Sequence, residues 1–261
     1  MKIGYLQGAF DMFNIKHLNV LKNAKSKCDY LVVGVINDEL CKKYFKVDSL
    51  IKNSDRMEIV SSIKYVDEVL VVDENVKSIL IDKNVNIIFD INEPDFCSLE
   101  LDGCTCITID SSHSCENDNV PKSNRIGRIG YTTGVFDLFH IGHLNIIKKS
   151  KERCNYLIVG VSTDDVVENY KNKKPVISFN DRIEIIKSLK YVDEVVPQTT
   201  MDKMKAWNKL KFDVLFHGSD WKNSEMYNKI ISDFKIVGVS VEFLPHTDGI
   251  SSTILTEKIK K

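Results

Sequence analysis

The chain has 261 residues, 43% of them hydrophobic and 28% charged, enough apolar material for one large packed domain or two smaller ones. Lys and Arg number 36 against 37 Asp and Glu, a formal charge of −1 that excludes a charge-driven binder of nucleic acid or anionic membrane, though not a local cluster for a small anion. No apolar run nears the roughly 18 residues of a bilayer span, the opening MKIGYLQGAF lacks a signal-peptide pattern, and seven cysteines in so long a chain do not suggest a disulfide framework. A cytoplasmic enzyme is the expectation, with no nucleic-acid partner and no membrane span.

The chain repeats itself. GYLQGAFDMFNIKHLNVLKNAKSKCDYLVVGV from Gly4 returns 126 positions on as GYTTGVFDLFHIGHLNIIKKSKERCNYLIVGV from Gly130, with about half the positions identical. The offset holds without a gap to Val69 and Val195, then drifts, and Asn86–Phe89 still matches Asp213–Phe216. Units this long are whole domains, expected at residues 1–118 and 126–261, with the join in the polar stretch ENDNVPKSNRIGR from Glu116 to Arg128.

In chain order the second copy predicts a strand at Ile129–Thr133, a helix opening at His143–Lys151 and a buried strand at Tyr156–Val161. A helix follows at Asp181–Lys190 with Asp181 as its N-cap, then a short strand at Glu194–Val196 and a helix at Met201–Leu210. Strands at Phe212–Phe216 and Val239–Leu244 and a helix from about Ser252 complete it. This alternation is that of an α/β fold with a parallel, doubly wound, Rossmann-like sheet in each copy. Ligands then sit beyond the carboxyl ends of the strands, where strand order switches.

Chemistry concentrates in Gly134-Val135-Phe136-Asp137-Leu138-Phe139-His140-Ile141-Gly142-His143, between the first strand and first helix. Free backbone N–H groups and the helix dipole favour an anion there. The two imidazoles share the first turn, and Gly142 leaves room for a phosphate. The same histidines also fit a metal pair or plain packing, but a metal hydrolase would want i, i+4 spacing and a third ligand. Lys171 and Lys173, in YKNKKPVISF, form a basic run that is either a loop over the site or a solvated face. His217, at the end of a buried strand, reads as a hydrogen-bonded structural histidine.

GVFDLFHIGH, KYVDEVVP at Lys190–Pro197, Gly218-Ser219-Asp220-Trp221 and HTDGISST from His246 occur in the order and spacing of cytidylyltransferases. The second half resembles that family, within the HxGH nucleotidylyltransferases, and most of all its members that act on glycerol 3-phosphate. The resemblance implies transfer of a cytidylyl group from CTP, carried with Mg2+, to a small phosphomonoester, giving a CDP-alcohol such as CDP-glycerol and pyrophosphate. Phosphoethanolamine, phosphocholine or a sugar phosphate are the alternative acceptors. It implies catalytic roles for His140, His143, Lys171 and Lys173, and nucleotide contacts at Thr132, Thr133, Gly134, Phe136, Asp137, Gly142, Gly218, Asp220, Trp221, Thr247, Gly249, Ile250, Ser251 and Ser252. Substrate contacts fall on Arg182, Lys190 and His246, and no protein metal ligand is implied. The family usually has arginine where this chain has Lys190 and His246, and neither replacement offers a bidentate fork.

The first copy lacks the set. Asn14 stands for His140 and Lys16 for Gly142, while His17 and the core residues Phe10, Phe13 and Leu18 remain. That is the pattern of a catalytically dead copy. Since enzymes of this kind usually pair, it is expected to act as a built-in partner in a pseudo-dimer, with a homodimer as the alternative. Cys97, Cys104, Cys106, His113 and Cys115 crowd one stretch, either the start of a thiolate zinc site or small buried apolar residues.

Overall fold

A computed structural model of the protein describes residues 1–73, 75–94, 96–112, 125–222 and 224–260. They divide into two compact units, Met1–Asp118 with Glu257–Lys261, and Asn119–Thr256. Residues 116–124 of the expected join lie outside the described residues, as do His113 and Cys115.

In the first unit the elements are β1 (Ile3–Gly8), α1 (Ile15–Lys25), β2 (Tyr30–Ile36), α2 (Asp38–Phe45), α3 (Asn53–Ser61), β3 (Glu68–Val72), α4 (Val76–Asp82), β4 (Ile87–Ile91) and β5 (Thr105–Ile109). The second unit carries β6 (Ile129–Gly134), α5 (Ile141–Lys151), β7 (Tyr156–Ser162), α6 (Asp164–Lys171), α7 (Phe179–Lys187), β8 (Glu194–Gln198), α8 (Lys203–Leu210), β9 (Val214–Gly218), a 3-10 turn (Ser219–Trp221), α9 (Glu225–Ile236), β10 (Ser240–Leu244) and, up to Thr256, α10 (Ser252–Ile259).

Each unit is an α/β Rossmann-like domain on a five-stranded sheet, ordered β3-β2-β1-β4-β5 in one and β10-β9-β6-β7-β8 in the other. The two orders are the same topology read from opposite edges, and every pairing within them is parallel. Strands such as YLVVGVI and YLIVGVS are apolar on both faces because helices cover both sides of a parallel sheet. Tyr5, Val32, Leu80 and Ile88 anchor the first core, and Tyr131, Ile158, Phe212, Leu215 and Phe234 the second.

Helix boundaries follow caps more than apolar period. α7 begins at Phe179 rather than Asp181, because Ser178 is its N-cap and accepts from the Asp181 amide at 3.3 Å, while its hydroxyl donates to the Asp181 carboxylate. α8 begins at Lys203 rather than Met201, since Asp202 accepts from the amides of Met204 and Lys205. α6 and α9 are elements the apolar pattern did not mark. Both are short amphipathic segments with one buried residue in α6 and two in α9. Among the described cysteines, Cys97 and Cys104 pack against the first core and the Cys104 thiol donates to the Val85 carbonyl at 3.1 Å, whereas Cys106 is exposed.

Candidate active site

β6 crosses to α5 through a turn in which Phe136 and Leu138 both take left-handed backbone, with φ of 56 and 47. Such a conformation is costly for residues with a Cβ. Phe10 and Met12 of the first unit adopt it too, with φ of 52 and 51, so the strained shape is common to both copies. Between them Asp137 accepts from the amides of Val176 and Ile177, both at 2.9 Å. This draws the segment that follows Lys171 and Lys173 across the turn. Asp11 does the same for Leu50 and Ile51, at 2.7 and 3.0 Å. Asp137 therefore serves as a structural clip, with both oxygens occupied.

Arg182 completes this frame. It is only 1% exposed, and its guanidinium donates to the carbonyls of Ile177, Val135 and Ser162 and pairs with Asp164 at 2.5 Å. Arg56 makes the equivalent bonds to Ile51, Ala9, Ile36 and Asp38. Four of the five N–H donors of Arg182 are taken by the turn, the loop, the end of β7 and Asp164, and Arg182 is not among the residues lining the cavity described below.

The imidazoles meet at the head of α5. His140 is the N-cap, and its Nδ1 accepts from the Gly142 amide at 3.1 Å. That bond leaves the ring proton on Nε2. His143 stacks on it, with ring centroids 3.8 Å apart and planes at 25°, and Phe136 and Phe139 flank it. The Nδ1 of His143 is buried and has no hydrogen-bond partner. Burial, and secondarily His246, pushes His140 down to about 4; burial, then His140 and Lys171, pushes His143 well below its ordinary value. Both rings are therefore neutral N–H donors near pH 7, held in a field of His246 and Lys171 that an anion would relieve. Gly142 has a reason beyond leaving room for phosphate. A Cβ there would lie 2.9 Å from His140 Cε1 and 3.0 Å from its Nδ1, in the ring's own place.

A cavity of about 310 Å³ opens over the carboxyl ends of β6, β7, β8 and β9. Of the residues expected at the site, Thr133, Gly134, Phe136, Asp137, His143, Lys171, Lys173, Trp221 and Ser252 line it. The Ser252 hydroxyl donates to the Asp137 carbonyl at 2.7 Å, fixing the start of α10 to the turn. His140 and Gly142 belong to the α5 cap and are not among its lining residues, and Thr247 is tied to α5 through Asn145 at 3.0 Å. Thr132 faces the other side of the sheet, fully buried, with its hydroxyl unpartnered. Gly218, Asp220, Gly249, Ile250, Ser251, Lys190 and His246 are not among the lining residues. Ser251 instead accepts from the Ile254 amide at 3.2 Å, and Gly249, with φ +80, turns the chain before α10.

The floor holds groups that the sequence reading passed over: Ser162, Gln198 and Lys203, with His217 beside them. Ser162 donates to Gln198 at 3.2 Å, and the Lys203 ammonium donates to Thr133 Oγ1 at 2.9 Å. Burial lowers Lys203 to about 8, and burial, aided by Lys203, lowers His217 to about 4. His217 accepts from the Gly218 amide at 3.0 Å and packs on Tyr227 and Trp221, so it is both a structural and a cavity residue. Lys203 was hidden by a gap in the repeat. At the offset of 126 it pairs with Lys77, but the helix starts pair it with Val76.

A protein-family model described as cytidylyltransferase-like matches residues 5–97 and 131–258. The chain is 35% identical over 135 residues to glycerol-3-phosphate cytidylyltransferase of Bacillus subtilis strain 168, covering 49% of this chain and 94% of that one. It is 24% identical to a probable ethanolamine-phosphate cytidylyltransferase of Encephalitozoon cuniculi, covering 87% of this chain and 84% of the other. The bifunctional protein HldE of Helicobacter pylori strain P12 is 36% identical over 51% of this chain and 28% of its own length.

Proposed function

The chain belongs to the cytidylyltransferase-like family and is a nucleotidylyltransferase, and from that premise we propose that its second unit transfers the cytidylyl group of CTP to glycerol 3-phosphate, giving CDP-glycerol and pyrophosphate. The observation that carries this reading is the stacked pair His140–His143 at the head of α5, whose His143 lines a cavity together with Lys171 and Lys173.

A phosphomonoester is mostly a dianion at pH 7 and needs no base to become a nucleophile. One of its oxygens bonds to the α-phosphorus of CTP as the bond from that phosphorus to the bridging oxygen breaks, and pyrophosphate leaves with that electron pair. The chain's task is to hold the two in line and to neutralise the equatorial and departing oxygens. The His140 Nε2–H, the His143 ring and the two lysines are the groups assigned to the phosphates, at the head of α5. Trp221 is assigned to the base.

Among the described residues no group of three or more His, Cys, Asp or Glu could hold a metal, and the one carboxylate lining the cavity, Asp137, has both oxygens on backbone amides. The Mg2+ ion enters this reading only as part of the nucleotide, held by its phosphates.

A second acceptor, phosphoethanolamine, is favoured by the relative that spans 87% of this chain. Pyrophosphate release from CTP, with glycerol 3-phosphate, phosphoethanolamine, phosphocholine and a sugar phosphate in parallel, decides between them. Release with glycerol 3-phosphate is expected, and no release with any acceptor would end the reading. The degenerate first unit is read as an internal partner, so light scattering of the full chain should give 29.8 kDa, the mass of one chain. A stable pair of chains would overturn that part. No helix among the described residues is long and apolar enough to cross a membrane.

A further inference from the structure

We propose that the first unit is a ligand-binding domain in its own right: its cleft takes a flat, uncharged aromatic molecule that presents one hydrogen-bond acceptor to the amide of Gln7. The site is separate from that of the second unit and does not depend on which reaction the second unit performs.

A cleft of about 590 Å³ opens at the carboxyl ends of β1 and β3, against about 310 Å³ for the cavity of the second unit. It falls within the roughly 300–1,000 Å³ of small-molecule sites. Its chemistry is inverted. Where the second unit lines its cavity with Lys171, Gln198 and Lys203, the first has Phe45 and Val72 at the 126 offset and Val76 at the matching helix start. Phe96 and Leu99, from the segment after β4, add two more apolar walls. Such walls face water at a cost, and aromatic rings favour an aromatic partner. The arrangement also turns away a phosphate. Phe96 packs on Phe10 at 5.3 Å and on His17 at 5.7 Å, setting a ring against the head of α1, and Lys16 there is paired with Glu93 at 3.3 Å.

Gln7 makes the one directional demand. It is 6% exposed, lines the cleft, and its Oε1 accepts from the Tyr5 hydroxyl at 2.8 Å. Its Nε2 has no hydrogen-bond partner among the described residues. A donor so buried and left unpaired costs free energy until an acceptor reaches it. The other polar groups of the cleft are engaged elsewhere: the Ser98 hydroxyl donates to Asp90 at 2.5 Å, and Asp73 accepts from the Asn75 amide at 2.8 Å. Of the described residues that line the cleft, the charged ones are Asp73 and Lys77, one of each sign, so it calls for no net charge in its occupant.

The test uses the full chain and the neutral dye prodan, a dimethylamino naphthyl ketone whose emission moves to the blue in apolar surroundings. Titration should give saturable, blue-shifted emission with a Kd of about 10–100 μM, the scale for a ligand of that size. Cys97 lines the cleft and reports where the dye sits. At about ten times the Kd, its alkylation by iodoacetamide, followed by peptide mass spectrometry, should slow about tenfold by mass action. The exposed Cys106 should keep its rate. Gln7→Glu keeps an oxygen for the Tyr5 hydroxyl and removes the donor, so it should weaken binding about fivefold or more. Leu99→Trp, which fills the cleft, should abolish it. The Cys97 measurement needs only the wild type and decides even if a variant does not fold. Absence of saturable binding, or a Cys97 rate unchanged by the dye, overturns the proposal. Undiminished binding by Gln7→Glu overturns the acceptor it assigns, and displacement of the dye by CTP overturns it by placing the dye in the second unit.

Discussion

The two units keep the same frame and fill it differently. Asp11 and Asp137, Arg56 and Arg182, and the left-handed pairs Phe10/Met12 and Phe136/Leu138 make matching contacts in each. What changes is the content of the cleft. In the first unit His17 is 1% exposed, enclosed by Phe10, Phe13 and Phe96 with ring centroids 5.4, 5.7 and 5.7 Å away, and its Nδ1 accepts from the Asn14 amide at 3.2 Å. In the second, His143 keeps an unpartnered Nδ1 and faces a cavity. Lys171 and Lys173 stand where the first unit has Phe45 and Val47. The contrast separates two kinds of polar residue that a single sequence blends: those that build the turn appear in both copies, and those that wait for a ligand appear in one.

Breaking the shared frame should have the largest effect, and equally in both units. Arg56→Met and Arg182→Met each strand backbone carbonyls and a carboxylate around a buried hole, and each should lower stability by roughly 3–5 kcal/mol in chemical denaturation. Turnover per folded Arg182→Met molecule should change little. A well-folded Arg182→Met with a raised acceptor KM would instead make this arginine a substrate ligand. Next comes the asymmetric pair. His140→Ala should reduce kcat by about 10²–10³-fold, the effect of removing one positioned donor to developing charge. His17→Ala, in the first unit, should leave kcat within about twofold while lowering the melting temperature, because a buried ring is lost from an aromatic cluster.

How far these roles can be read from sequence follows from the same division. The parallel sheets, the repeat and the imidazole turn are legible because they rest on apolar runs and a short motif whose partners are neighbours in the chain. Arg182 shows where sequence stops, since an arginine beside a basic loop in a strand-rich domain looks the same whether its donors meet a ligand or three carbonyls. The twin carries the clue: Arg56 persists in the copy that lacks the imidazole pair. Lys203 was missed for the opposite reason. Its place in the floor depends on the register of a helix start across a one-residue gap, and on burial, neither of which a pattern of types records. Thr132 and Thr133 show the finest limit, for the strand's alternation sends one to the core and one to the cavity.

Acid provides a smaller, graded test of the same asymmetry. His140 has a folded value of about 4 against an ordinary 6.5, as has His217. Between those values the unfolded chain binds protons that the folded second unit refuses. The stability tied to these rings is whole above about pH 6.5 and is lost as pH falls toward 4, by roughly 3 kcal/mol for His140 alone. Melting at pH 7 and pH 5 should show this loss, and CTP should reduce it, since a polyanion favours the imidazolium. His140→Asn should be less acid-sensitive than the wild type. Equal acid sensitivity would mean that the ring is not the titrating group.

The smallest expected effect is the most discriminating, because it exchanges the caps of the two units. In the second, Gly142 permits the His140 ring to lie against its own helix start; in the first, Asn14 caps the Lys16 amide at 2.9 Å and no glycine is needed. Gly142→Lys alone should drive the ring from its bond to the residue 142 amide, lowering stability by about 1–2 kcal/mol and turnover with it. Adding His140→Asn recreates the arrangement of the first unit. Stability should then recover to within about 0.5 kcal/mol of the wild type while turnover stays lost, a coupling that a double-mutant cycle reads directly. If the double variant is as unstable as the single one, the glycine is not there for the ring, and the space it leaves for a phosphate becomes the reason instead. Recovery of stability without recovery of activity would show the two copies to be alternative solutions of one capping problem, only one of which puts an imidazole at the cap.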